Sequence, residues 1–143
     1  MPVPIWMLLG FASWTVLLLV FTIGVYRWSA ILTARAQIAA FRSDQVEGAD
    51  WYRRSMRAHA NCIENLPVFA AIVLALQTSG TGGLAVEVLC SAVLVARVLQ
   101  SLVHVCHAQT NAFVAVRFAL FTVQLVSFGG LTGLVVHHLG GQG

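Results

Sequence analysis

From Ile5 to Tyr26 the chain carries no charged residue, which is enough for a helix to cross the hydrocarbon core of a bilayer at about 20 residues per span. Three further apolar runs follow, separated by short polar breaks. In lipid the backbone polar groups are satisfied only inside helices or closed barrels, and runs of this length fit helices, not barrel strands. The charge content agrees. Only 9% of the 143 residues are charged and 59% are hydrophobic, against about 25% charged in soluble domains, so a water-exposed surface is not available. The expected fold is an all-α integral membrane protein, a four-transmembrane-helix bundle forming one domain over 1–143. Its spans are expected at about 5–31, 58–78, 84–106 and 112–136.

The positive charge is all arginine, and Arg27, Arg35, Arg42, Arg53, Arg54 and Arg57 lie between the first apolar run and the second. By the positive-inside rule the first loop, about 42–52, is expected on the cytoplasmic side and both termini on the opposite side of this multi-pass protein. That clustering reads as topology, and no nucleic-acid partner is expected. Met1-Pro2-Val3-Pro4 has no basic region before the first run, which is expected as an uncleaved anchor. Tyr26, Trp28 and Trp51 suit the membrane interface. Good helix formers from Ser29 to Phe41 extend the first helix beyond the bilayer, carrying Arg35 and Gln37, and Asp50 is the expected N-cap of the second. Turns are expected at Thr78–Gly83 and His107–Asn111, and His137 to Gly143 is expected as a disordered tail. Cys62, Cys90 and Cys106 form no paired motif and are expected as free thiols.

Polar groups inside the spans are the next constraint. Arg57, Asn61 and Glu64 stand at i, i+4 and i+7 and share one helical face, as do Arg97, Gln100 and His104 at i, i+3 and i+7. The fourth span carries Arg117 and Gln124. At a rise of 1.5 Å per residue, Glu64, Arg97 and Arg117 fall about 10, 15 and 8 Å from the cytoplasmic edge, in one half of the bilayer. A charge at mid-bilayer costs about 2.5–3.5 kcal/mol on insertion scales, so such groups pair or line a cavity. Glu64 is expected to pair with Arg97, leaving Arg57, Asn61, Gln100, His104 and Arg117 around a cationic pocket that suits an anionic ligand. Polar helix-to-helix contact alone is the competing explanation. The spacing of His104, Cys106 and His107 matches no usual zinc pattern, and no metal is expected. Gly129 and Gly133 form a GxxxG pair suited to close helix packing, and Pro67 removes a backbone hydrogen bond within the second helix.

The stretch Arg57-Ala58-His59-Ala60-Asn61-Cys62-Ile63-Glu64-Asn65-Leu66-Pro67-Val68-Phe69 resembles the R-A-H-x-N-x-x-E-N-x-x-P-F region of the MAPEG family, the membrane-associated proteins of eicosanoid and glutathione metabolism. The resemblance extends in outline to the whole chain, through four spans, a long basic first loop and arginines on the third and fourth helices. It implies a microsomal glutathione transferase-like homotrimer of four-helix subunits, with glutathione bound as co-substrate near the cytoplasmic side between neighbouring subunits. Carried over by position, Arg57, Asn61 and Glu64 match glutathione contacts on the second helix. Arg97 matches the third-helix arginine, and Arg117 the fourth-helix arginine that stabilises the thiolate in catalytic members. Arg35 or Gln37 stands near a polar contact at the end of the first helix. The chain departs from catalytic members where they carry tyrosines, at His104 and Phe121, and Phe118 stands where a hydroxyl residue follows the fourth-helix arginine in one member.

The resemblance leaves three readings open. One is a glutathione-dependent transferase or peroxidase acting on lipophilic electrophiles that arrive through membrane lipid. The second is a non-catalytic lipid- or ligand-binding protein of the same fold, and the third a purely structural bundle. A free thiol has a pKa of about 8.5 and reacts as the thiolate, so a fixed guanidinium at Arg117 favours the reactive form, while Arg57 suits a glutathione carboxylate.

Overall fold

The computed structural model describes residues 2–35, 37, 39 and 48–143. Four helices account for nearly all of them: α1 (Val3–Leu32), α2 (Asp50–Ser79), α3 (Leu84–Cys106) and α4 (Asn111–Gly140), each long and apolar enough to cross a membrane. Among the described residues there is no strand. The first loop, expected at about 42–52, lies outside the described residues over 42–47.

Helix α3 is the hub, packing on α1, α2 and most extensively on α4. Its bounds coincide with the span expected from the sequence. The core is thin and aromatic. Phe69 of α2 sits between Phe11 of α1 and Phe128 of α4, at ring-centroid distances of 5.8 and 6.1 Å, with Val73, Leu76, Cys90, Val93 and Leu131 buried around them. Phe21, Leu74, Leu84 and Val126 are exposed on the outside of the bundle. That inverts the soluble pattern and is what lipid-facing helices require.

Several boundaries differ from expectation, each for a local reason. Helix α1 stops at Leu32 instead of running to Phe41, so Arg35 and Gln37 lie beyond it. Ala34 adopts a left-handed φ of 56°, and the Arg35 amide bonds back to the Ala30 carbonyl at 2.9 Å, a closure that ends the last turn. Within α1, Leu19–Gly24 winds as a π-helix that no residue pattern announces. Gly24 suits it, because a Cβ there would stand 3.2 Å from the Leu19 carbonyl oxygen. Asp50 is not an N-cap. Ala49 holds that position, and Asp50 is the first helical residue, where its charge still complements the helix dipole. At the other end of α2, Gly80 takes φ 70° and the Thr81 amide reaches the Leu76 carbonyl at 3.1 Å, making the expected turn. The tail is ordered further than expected, since α4 continues to Gly140, with Gln142 and His138 in a 2.8 Å side-chain hydrogen bond.

The foot of α1 is pinned to the start of α2. Tyr26 stacks on Tyr52 at 4.1 Å and meets Trp51 edge-on at 5.3 Å, while Arg27 Nε donates to the Tyr52 hydroxyl at 2.9 Å. Tyr26 and Trp51 therefore form a packed aromatic joint, whereas Trp28 faces outward. Cys62, Cys90 and Cys106 are free, the first two buried and Cys106 exposed. No atom lies within 4 Å of a Cβ built at Gly129 or Gly133, so the GxxxG pair closes no contact within one chain.

Candidate functional site

The site begins at the turn between α3 and α4. Thr110 is the N-cap of α4, its hydroxyl accepting from the Phe113 amide at 3.4 Å, and this start sets the phase that brings Arg117 round to face α3. His107 leaves α3 in extended conformation and its ring lies 4.2 Å from that of Phe113. From α2, Arg54 Nε donates to the Val105 carbonyl at 3.2 Å, satisfying one of the carbonyls that the end of α3 leaves open. These contacts fix the ends of three helices against one another.

Between them lies a cleft of about 300 Å³ lined by Asn61, Gln100, His104, Val114, Arg117, Phe118 and Phe121. One wall is polar and comes from three helices. The other is apolar and belongs to α4, with Phe118 exposed at its rim. A smaller cleft of about 190 Å³, lined by Asp50, Arg53, Arg54, Arg57, Ala108 and Gln109, opens beside the same turn. Arg53, Arg54, Arg57 and Arg117 make no ion pair among the described residues, and with Asp50 as the one carboxylate lining either cleft the two together carry net positive charge.

A chain of amides ties the polar wall together. Gln124, fully buried, donates through Nε2 to Gln100 Oε1 at 2.9 Å, and Gln100 Nε2 donates to the Arg117 carbonyl at 3.2 Å. Gln124 was not among the sequence-derived site residues. Its signal was present as a polar residue seven positions after Arg117 in an apolar span, on the same face. Replacing it with Leu strands the Gln100 carbonyl in a dry interior, and Gln124→Leu is expected to lower stability by about 1–3 kcal/mol, measured by thermal unfolding in detergent.

The eight sequence-derived site residues separate into groups. Asn61, Gln100, His104 and Arg117 meet in the larger cleft, and Arg57 lines the smaller one. Arg97, Glu64 and Arg35 line neither. Arg97 is 1% exposed and turned toward α1, its Cζ 5.7 Å from the Phe11 ring centroid, with Nε and Nη2 lacking hydrogen-bond partners. Glu64 is exposed on α2, so the expected Glu64–Arg97 ion pair does not form within the chain. The cause is the long stem of Arg97, which leans onto the aromatic ring of α1 instead of reaching across to the outer face of α2. Arg35 is exposed beyond α1, with Nε bonded to Thr33 Oγ1 at 2.9 Å.

The family model described as MAPEG family matches residues 11–137 of the chain. No curated protein and no solved structure gives a significant match.

Proposed function

Since the chain belongs to the MAPEG family, a family of four-helix membrane bundles, we propose that this multi-pass membrane protein is a glutathione-dependent transferase or peroxidase acting on lipophilic electrophiles. The observation that carries the reading is the larger cleft, where an uncompensated guanidinium and three uncharged polar side chains face an apolar wall that opens toward lipid. Such a junction suits a polar thiol on one side and a greasy electrophile on the other. The arginines of the smaller cleft, Arg57 foremost, suit the carboxylates of glutathione. With these ends held, the sulfur lies toward Arg117. There the thiol gives its proton to water, the guanidinium stabilises the thiolate, the sulfur bonds to the electrophilic carbon, and the leaving group departs with the bonding pair. In the peroxidase variant the thiolate attacks the terminal oxygen of a hydroperoxide. The O–O bond breaks, the alkoxide takes a proton from water, and a second glutathione converts the sulfenic acid to disulfide and water.

The proposal extends to assembly and orientation. Arg57 and Glu64 lie exposed on the flank of α2, and a charged face does not persist against lipid. A second copy covering that face, in the homotrimer the family resemblance implies, removes the conflict. The arginine-bearing clefts then face the cytoplasm.

Phe118 and Phe121 offer no hydroxyl to the sulfur, which favours a second reading, ligand presentation without turnover. One assay separates the two. Purified protein is given glutathione with an aryl halide or a lipid hydroperoxide, and conjugate or disulfide is measured. Turnover supports the enzyme, binding without turnover supports presentation, and absence of binding leaves a structural bundle. Arg57→Ala is expected to weaken glutathione binding about tenfold to a hundredfold by calorimetry, the loss of a charge-assisted hydrogen bond to a carboxylate.

A further inference from the structure

His104 is 7% exposed, its side chain hydrogen-bonds to no described residue, and its Nε2 is shut away from solvent with no partner. Leaving a buried polar group unsatisfied costs about 1–3 kcal/mol, and native structures rarely retain one without use. Its place in the fold narrows that use. His104 lines the larger cleft with Arg117 and Phe118, whereas Arg53, Arg54 and Arg57 line the smaller one. Of the other two uncharged polar side chains there, Asn61 belongs to α2, and Gln100 is committed on both sides, its Oε1 to Gln124 and its Nε2 to the Arg117 carbonyl. The phenylalanines carry no donor. The charged groups acting on His104 are Arg117 from α4 and Arg57 and Arg54 from α2, all cations.

Resting on the glutathione reading above, we infer that His104 is a catalytic residue that contacts the reacting sulfur. Its neutral imidazole donates an N–H hydrogen bond to the thiolate while Arg117 supplies the charge. The thiol proton itself leaves to water. A thiolate is an acceptor, so the imidazole N–H favours it over the thiol and lowers the pH at which bound glutathione ionises. His104 thereby supplies a donor that the apolar side chains at Phe118 and Phe121 do not.

The test titrates bound glutathione by thiolate absorbance against pH, at saturating glutathione, in wild-type, His104→Phe and His104→Gln proteins. The phenylalanine variant is expected to need a pH about one unit higher for half-ionisation, a tenfold loss of thiolate at neutral pH worth one charge-assisted hydrogen bond. Glutaminyl N–H groups restore the donor, and His104→Gln is expected to return most of that shift. Calorimetric affinity for glutathione stays within about threefold in both, because the carboxylates are held elsewhere. An unchanged ionisation midpoint in His104→Phe overturns the inference while leaving glutathione binding intact. Equal displacement in both variants also overturns it, by showing a packing role. Failure of the wild-type protein to bind glutathione overturns the glutathione reading itself.

Discussion

Arg117→Ala is expected to lower turnover about 10²–10³-fold at neutral pH while leaving the fold and glutathione affinity nearly unchanged, the scale of losing one preorganised donor at a developing charge. The geometry separates the roles of this residue. Its backbone carbonyl accepts from Gln100, a contact that survives the substitution. Its side chain makes no ion pair or hydrogen bond among the described residues, so truncation removes charge from the cleft without breaking packing. An interaction made only with the thiolate and the transition state shows itself as a fall in kcat with KM preserved. The measurement is the kcat and KM of conjugation, paired with thiolate absorbance. A raised KM at constant kcat would instead assign Arg117 to a glutathione carboxylate. Arg117→Lys, which keeps charge and loses the planar fork, is expected to fall between the two proteins.

The second large effect has the opposite sign. Arg97→Met is expected to stabilise the subunit by about 1–4 kcal/mol, because a buried guanidinium without an ionic partner is exchanged for an apolar side chain of similar reach. Its cation–π contact with Phe11 returns only about 0.5–2 kcal/mol. Thermal unfolding in detergent reads the result. Destabilisation by several kcal/mol would show that Arg97 is paired in the assembled protein, with a neighbouring copy or a ligand supplying the anion, and Glu64→Gln in the same assay tests whether that anion is the exposed carboxylate of α2.

The helices were legible because the apolar runs are long, the breaks are short, and the bilayer admits few alternatives. Their ends were less so. The stop of α1 depends on Ala34 entering a left-handed conformation, a choice that the helix-forming residues after Ser29 do not announce. The π-helical turn at Leu19–Gly24 is similarly silent. For the site, periodicity grouped Arg97, Gln100 and His104 on one face, and all three are indeed buried. Spacing cannot tell which neighbouring helix each side chain meets. Gln100 and His104 turn to the cleft shared with α4, and Arg97 turns to Phe11 of α1, which is why the expected ion pair is absent while the cleft residues converge. Gln124, noted with Arg117 on the fourth span, was left out of the site for the converse reason: a lone amide in a span gains meaning only once its partner on α3 is known.

The most direct measurement is a glutathione titration of the purified wild-type protein at neutral pH, followed by thiolate absorbance. A saturable rise that is lost in Arg117→Ala is the predicted result. Absence of saturable binding in the wild-type protein would contradict the account at its root and leave the polar wall of the cleft as contact between helices.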